Sequence, residues 1–411
     1  MTGPLHGVRI LDLTRILAGP WAAQNLADLG AEVIKIEKPG SGDDTRHIGP
    51  PFIRNRATGA DADAAYFMVC NRNKESVALD IATPEGSALV RDLAAHCDVL
   101  IENYKVGGLA KYGLDYASLH AGLPNLVYCS ITGFGQTGPY APRAGYDYLI
   151  QAMGGLMSVT GERDDRPGGG PQRVGVALAD MMSGMYAAVA ILAALRHRDQ
   201  GGGGQHIDIA MLDVQVAMLA NHAMNYLTTG EVPVRAGNGH PSIAPYQWFP
   251  ASDGHVILAV GNDGQFARMC EAMDRPEMAT DARFRTSPDR VANRDALIAL
   301  IEAQTRTRSV DEWVAVMEKA EVPCGPINTI DRVFADPQVK ARGMAMTLPH
   351  LTGGSVASVA NPMRFSETPA DYRRGPPVLG QHTNEVLGRM LGLDDAALAR
   401  LAASGVTGVP P

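Results

Sequence analysis

Cysteine is sparse in this 411-residue chain: Cys70, Cys97, Cys129, Cys270 and Cys324 lie far apart, are odd in number and form no C-x-x-C pair. That spacing speaks against a disulfide framework and a zinc site, and fits reduced thiols in a cytoplasmic protein. Positive charge is also short. Lys and Arg number 36 against 44 Asp and Glu, a net charge of −8 that disfavours a nucleic-acid partner. An anionic ligand must then be met by locally placed cations. With 45% hydrophobic and 19% charged residues, the composition is that of a packed, enzyme-like protein of two domains, or of one with a large insertion.

Familiar catalytic signatures are missing too. There is no H-E-x-x-H, G-x-S-x-G or Walker sequence, and "RILAGPWAAQ" after the first apolar strand does not fit G-x-G-x-x-G, which disfavours a dinucleotide-binding Rossmann domain. The eleven histidines are dispersed and are read as structural, with no metal site expected. No basic stretch followed by an unbroken apolar segment opens the chain, so no export signal is read. The one long hydrophobic run, Val174 to Leu195, is interrupted by Asp180, Ser183 and two glycines, and only fifteen residues separate Asp180 from Arg196. It is read as a core helix and not as a membrane span.

What is present is alternation. "VRILDL" and "EVIKIE" flank the helical "PWAAQNLADLG", and the pattern repeats through "SVALD", a helix from Pro84 to His96, "DVLIEN" and "LVYCSITGF". Strands separated by helices predict a Rossmann-like α/β domain with a parallel sheet, covering residues 1–215, with ligands at the strand carboxyl ends. A smaller α+β domain is expected over 216–325, opening on a helix from Met211 to about Leu227 and containing a strand pair and three amphipathic helices. Residues 326–411 form a closing segment whose two helices return to the first domain.

The segment "GVALADMMSGMYAAVAILAALRHRDQGGGGQHIDIAML" places one carboxylate, Asp180, at the head of an apolar helix. Spacing alone allows an N-cap, in which Asp accepts from first-turn amides, or a carboxylate kept ionised and shielded from water as a nucleophile. Both readings stay open on the residues. The four glycines follow a helix and precede a β-like stretch, the reverse of a phosphate loop, and are read as a helix stop and turn with Arg196, His197 and Arg198 at the negative helix end.

Six stretches carry a resemblance across nearly the whole chain: "GVRILDLTRILAGPWAAQNLADLGAEVIKIEKPGSGDDTR", "NRNKESVALD", "ENYKVGGLAKYGLDY", "SITGFGQTGPY", "GYDYLIQAMGG" and "GVALADMMSGMYAAVAILAAL". In order and spacing the chain resembles the class III CoA-transferases, a family that also holds α-methylacyl-CoA racemases and the carnitine and formyl-CoA transferases. The resemblance implies an interlocked homodimer, CoA and acyl-CoA as substrates with no permanently bound cofactor, and Asp180 as the nucleophile that passes through anhydride and thioester intermediates. It also places Leu17, Ala18, Lys38, Lys74, Asn103, Tyr104 and Lys111 at CoA-contact positions, with Arg143 as a further candidate. Taken alone, each lysine is an ordinary surface charge and Tyr104 an ordinary half-buried aromatic.

Departures from the family pattern narrow the reaction. The racemases' G-H-D is "GYD" here, with Tyr146 replacing the catalytic histidine, and an unperturbed tyrosine is a poor base at neutral pH. Tyr146 becomes a candidate donor to the reacting carbonyl and Asp147 a candidate orienting group; helix-start packing and capping are the plainer alternatives. Leu17 stands where formyl-CoA transferases carry Gln. Gly237, Asn238, Gly239 and His240 replace their tetraglycine loop as a candidate mobile flap over the acyl group, or are an ordinary interdomain loop. The chain is thus more similar to members that use succinyl-CoA with dicarboxylates than to those that use oxalate. A racemase and a CoA-binding protein without turnover are the competing expectations.

Overall fold

The computed structural model describes residues 3–408. Two compact units divide the chain: the first takes the residues up to 156, 174–224 and those from 338 on, and the second takes 157–173 and 225–337.

The first unit is built on six strands, β1 (Arg9–Asp12), β2 (Glu32–Glu37), β3 (Lys74–Ala78), β4 (Val99–Glu102), β5 (Val127–Thr132) and β6 (His206–Ala210). They lie in the order β3-β2-β1-β4-β5-β6 with every neighbouring pair parallel. Side chains alternate between two buried faces, as a sheet covered on both sides requires. Ile10, Val33, Val99, Ile101, Val127 and Cys129 point to one core; Leu11, Ile34, Leu100 and Tyr128 point to the other. The strand order reverses between β1 and β4, and the crevice at their carboxyl ends is where a sheet of this order receives ligands.

Helix α1 (Ala18–Asp28) follows β1, and α2 (Asp147–Met153) precedes the long α3 (Leu178–Asp199). By length and apolar composition α3 could cross a bilayer. Its Ala179, Ser183, Gly184, Ala187, Ile191 and Leu195 are nevertheless buried. Gly184 shows how close the packing is: a Cβ there would stand 2.5 Å from the Ala18 carbonyl oxygen. The sequence expectation of a core helix therefore describes one face of α3, while Tyr186 and Val189 are exposed. The helix stops as expected. Gly201 adopts φ +93° and donates to Arg198 O, and Gly204 lies where a Cβ would meet Leu126 O at 2.3 Å.

Residues from 338 on belong to the first unit, where they cover the outer edge of β3. His382 N–H donates to Ser76 O (2.9 Å), Ser76 N–H to His382 Nδ1 (3.2 Å) and Gly408 N–H to Ala78 O (3.1 Å). The second unit has an antiparallel sheet of Tyr246–Pro250, His255–Ala259 and Cys324–Pro326. Helices pack on it around Phe249, Val256, Phe266, Trp313 and Met317.

Three boundaries differ from the sequence reading. Residues 157–173 leave the expected 1–215 domain because Arg235 binds them, donating to Glu162 O (3.2 Å) and pairing with Asp164. The expected 216–325 domain runs instead from 225 to 337 alongside that insertion. The single helix expected from Met211 is broken into Met211–Met218 and Ala220–Thr229, where Ala220 takes φ +45°.

Candidate active site

The crevice begins with the loop after β1. Ile16 has φ +70°, a conformation that a β-branched residue adopts only when its surroundings impose it. Here they do. Ile16 N–H donates to Asp43 Oδ1 (3.2 Å), Lys35 Nζ donates to Thr14 O (2.7 Å), and Thr14 N–H donates to Asp12 Oδ1 (2.9 Å). Lys35 also pairs with Asp43 at 2.9 Å, both side chains fully buried. Burial opposes the Asp43 charge, but Lys35 and the Thr45 amide outweigh it and bring the carboxyl down to about 2. A buried ionic frame therefore sets the loop that carries Leu17 and Ala18.

Asn103 locks the same loop from the neighbouring strand. Its Oδ1 accepts from Arg15 N–H (2.9 Å) and its Nδ2 donates to Arg15 O (2.7 Å), tying together the loops that follow β1 and β4. Tyr104 is half-buried beside it with the Arg15 guanidinium 5.5 Å from its ring. Arg15, which the sequence reading passed over, is an additional exposed cation here, paired with Asp44 at 3.2 Å.

Of the expected CoA contacts, Lys38 and Lys111 are exposed. Arg143 is exposed too, stacked at 4.6 Å on Tyr140 and 5.1 Å on Phe134. Leu17 and Ala18 are buried at the head of α1. Lys74 is a correction. It is wholly buried, and its Nζ donates to Asp12 Oδ2 (2.9 Å), Asn71 Oδ1 (3.0 Å) and Pro20 O (3.1 Å). An ammonium has three donors, so none remains for a phosphate.

Asp180 is not the N-cap of α3. That position is Ala177, which has no side-chain cap, and Asp180 is the third helical residue. The cap comes from elsewhere in the chain: Asp147 Oδ1, on α2, accepts from Ala179 N–H (2.8 Å) and Asp180 N–H (3.3 Å). Two orphan amides of the first turn are thus satisfied by one carboxylate, while Leu178 N–H donates to Val176 O (2.8 Å), and the other carboxylate is released from that duty. Asp180 is half-buried, and its carboxyl is pushed up to about 7, first by burial and then by the Asp147 charge. Tyr66, another residue the sequence did not single out, stands near this pair; burial and then the Asp180 charge raise its phenol.

Tyr146, the residue before α2, is 69% exposed. Gly237, Asn238, Gly239 and His240 belong to the second unit, where they are tied down. Asn238 Oδ1 accepts from Trp248 N–H (2.9 Å), His240 Nδ1 from Ser242 N–H (3.1 Å), and Arg294 donates to His240 O (2.7 Å). Among the described residues no group of three or more His, Cys, Asp or Glu is placed to hold a metal ion.

The chain that folds into this six-stranded parallel sheet matches a known family along most of its length. The protein belongs to CoA-transferase family III, whose profile matches residues 5–383, and is a CoA-transferase. Its sequence is 50% identical to the succinate–glutarate CoA-transferase of Agrobacterium fabrum over 387 residues, 94% of this chain and 96% of that one. It is 44% identical to the human succinyl-CoA:glutarate CoA-transferase, covering 98% of this chain and 90% of the other. The fold matches the crystal structure of a CaiB/BaiF family protein from Brucella suis with a TM-score of 0.84 at 50% identity, covering 95% of this chain and all of that one.

Proposed function

We propose that the protein moves CoA from succinyl-CoA to a short dicarboxylate, with glutarate as the first acceptor to try, and that Asp180 is the nucleophile. The observation that carries this reading is the division of labour at the head of α3. Asp147 satisfies the helix amides, and Asp180 is left as a carboxylate in a half-buried position with no capping role.

In the proposed sequence an Asp180 oxygen attacks the thioester carbonyl; the C–S bond breaks, and CoA leaves as thiolate from a succinyl-aspartyl anhydride. The thiolate then attacks the aspartyl carbonyl, succinate departs, and an aspartyl-CoA thioester remains. The acceptor carboxylate repeats both steps in reverse and restores Asp180. Each step exchanges one activated acyl bond for another, so no net proton or electron is consumed, and water is the main competitor. The names of the similar transferases support succinyl-CoA as donor. Exposed Lys38, Lys111, Arg143 and Arg15 supply the local cations that CoA phosphates need in an acidic protein.

The test is a coupled screen of succinyl-CoA against mono- and dicarboxylates, repeated with Asp180→Asn and with hydroxylamine as a trap. Wild type is expected to form aspartyl hydroxamate, and the Asn variant to lose turnover by roughly 10³-fold or more. Retained transfer in the Asn variant would refute the assignment.

A further inference from the structure

Gln151 has no exposed surface and lies one helical turn after Asp147 on α2. Both ends of its amide are engaged. Nε2 donates to Asp147 Oδ2 at 2.7 Å and reaches Val176 O at 3.4 Å, while Oε1 accepts from Val174 N–H at 2.9 Å. Val174 is the residue at which the chain re-enters the first unit, four residues before α3 begins. One side chain therefore ties together the incoming segment and the carboxylate that caps the nucleophile's helix.

We propose that Gln151 is a positioning residue for catalysis: through Asp147 and the 174–177 segment, its amide sets the first turn of α3 and with it the Asp180 carboxylate. The proposal rests on Asp180 being the nucleophile. Only an uncharged amide of this length meets the demand, because one end must donate to a carboxylate while the other accepts from a backbone N–H. Leu and Met can do neither, Asn is one methylene short, and Glu can do both only while protonated. The groups facing Asp180 are Asp147 from α2 and Tyr66 from the Ala65–Met68 turn, so whatever moves Asp147 also changes the field at the nucleophile.

This dependence on protonation supplies a readout that a merely structural role would not move. In wild type, kcat is expected to climb with pH through about 7 as Asp180 ionises, and then to level. In Gln151→Glu the protonated carboxyl keeps the bridge at low pH. Once it ionises, two carboxylates oppose each other across a former hydrogen bond, and kcat should pass a maximum and fall. KM for succinyl-CoA should stay within about threefold, because the expected CoA contacts lie on other loops. Gln151→Met should lower kcat about 10- to 100-fold at every pH, the cost of a misplaced reacting group. The two variants and wild type are compared in steady-state pH profiles after their folding is checked by circular dichroism. A Gln151→Glu profile that superimposes on wild type, or a Gln151→Met enzyme with unchanged kcat, overturns the proposal. An active Asp180→Asn enzyme instead removes the nucleophile assignment beneath it, so the two failures are told apart.

Discussion

Replacing Asp180 with Asn should make the protein inactive and more stable at once. Burial and the Asp147 charge raise the Asp180 carboxyl from 3.8 to about 7 in the folded chain. A rise of about three units corresponds to at most ~4 kcal/mol of strain in the ionised state. The side chain is only half-buried, and water screening reduces this to roughly 1–2 kcal/mol. The sign follows from linkage. Below about pH 4 the carboxyl is neutral in both folded and unfolded chains; between about 4 and 7 the unfolded chain ionises while the folded chain holds its proton, so wild type loses stability between those limits, and above 7 both are ionised and the loss is complete. An amide has no such loss. The Tm of Asp180→Asn should therefore exceed that of wild type by about 1–4 °C at pH 8, with the gap closing toward pH 4. Differential scanning calorimetry across that range reads the result. A lower Tm for the variant at pH 8, or a difference that does not vary with pH, would refute the account of a strained carboxylate.

Other outcomes follow from the frame around the crevice. Lys74→Met strands a fully buried Asp12 charge and should cost about 3–5 kcal/mol in urea unfolding, whereas Lys111→Ala, at an exposed site, should leave the midpoint in place and raise KM for acyl-CoA several-fold. Equal midpoints for the two variants would contradict the burial argument. Asn103→Ala removes both bonds to Arg15 and should raise KM for succinyl-CoA while costing about 1–2 kcal/mol of stability; an unchanged KM would show that the loop after β1 holds without it.

The sheet was legible because its strands are short apolar runs separated by helical segments, and parallel pairing follows from that alternation. Asp180 was legible as a charge in an apolar helix. Its cap was not, because the capping carboxylate comes from a residue 33 positions earlier, and local spacing says nothing about such an acceptor. Lys74 misled for the same reason: its partners Asp12 and Pro20 come from β1 and α1, and in the sequence a buried lysine reads like any surface one. The place of residues 157–173 is not legible locally because Arg235, which holds them, lies some seventy positions away. Gln151 offered no signal at all; an uncharged amide becomes informative only when both of its ends are seen to be engaged.

The closing segment that seals β3 has a consequence during synthesis. Strands from the first half of the chain wait on the ribosome with one border uncovered until residues near 382 and 408 emerge. An early stop codon would thus release a sheet whose open margin invites pairing with other nascent chains. Truncations in the last thirty residues should consequently appear as insoluble protein, even though every group assigned to the chemistry has already been made.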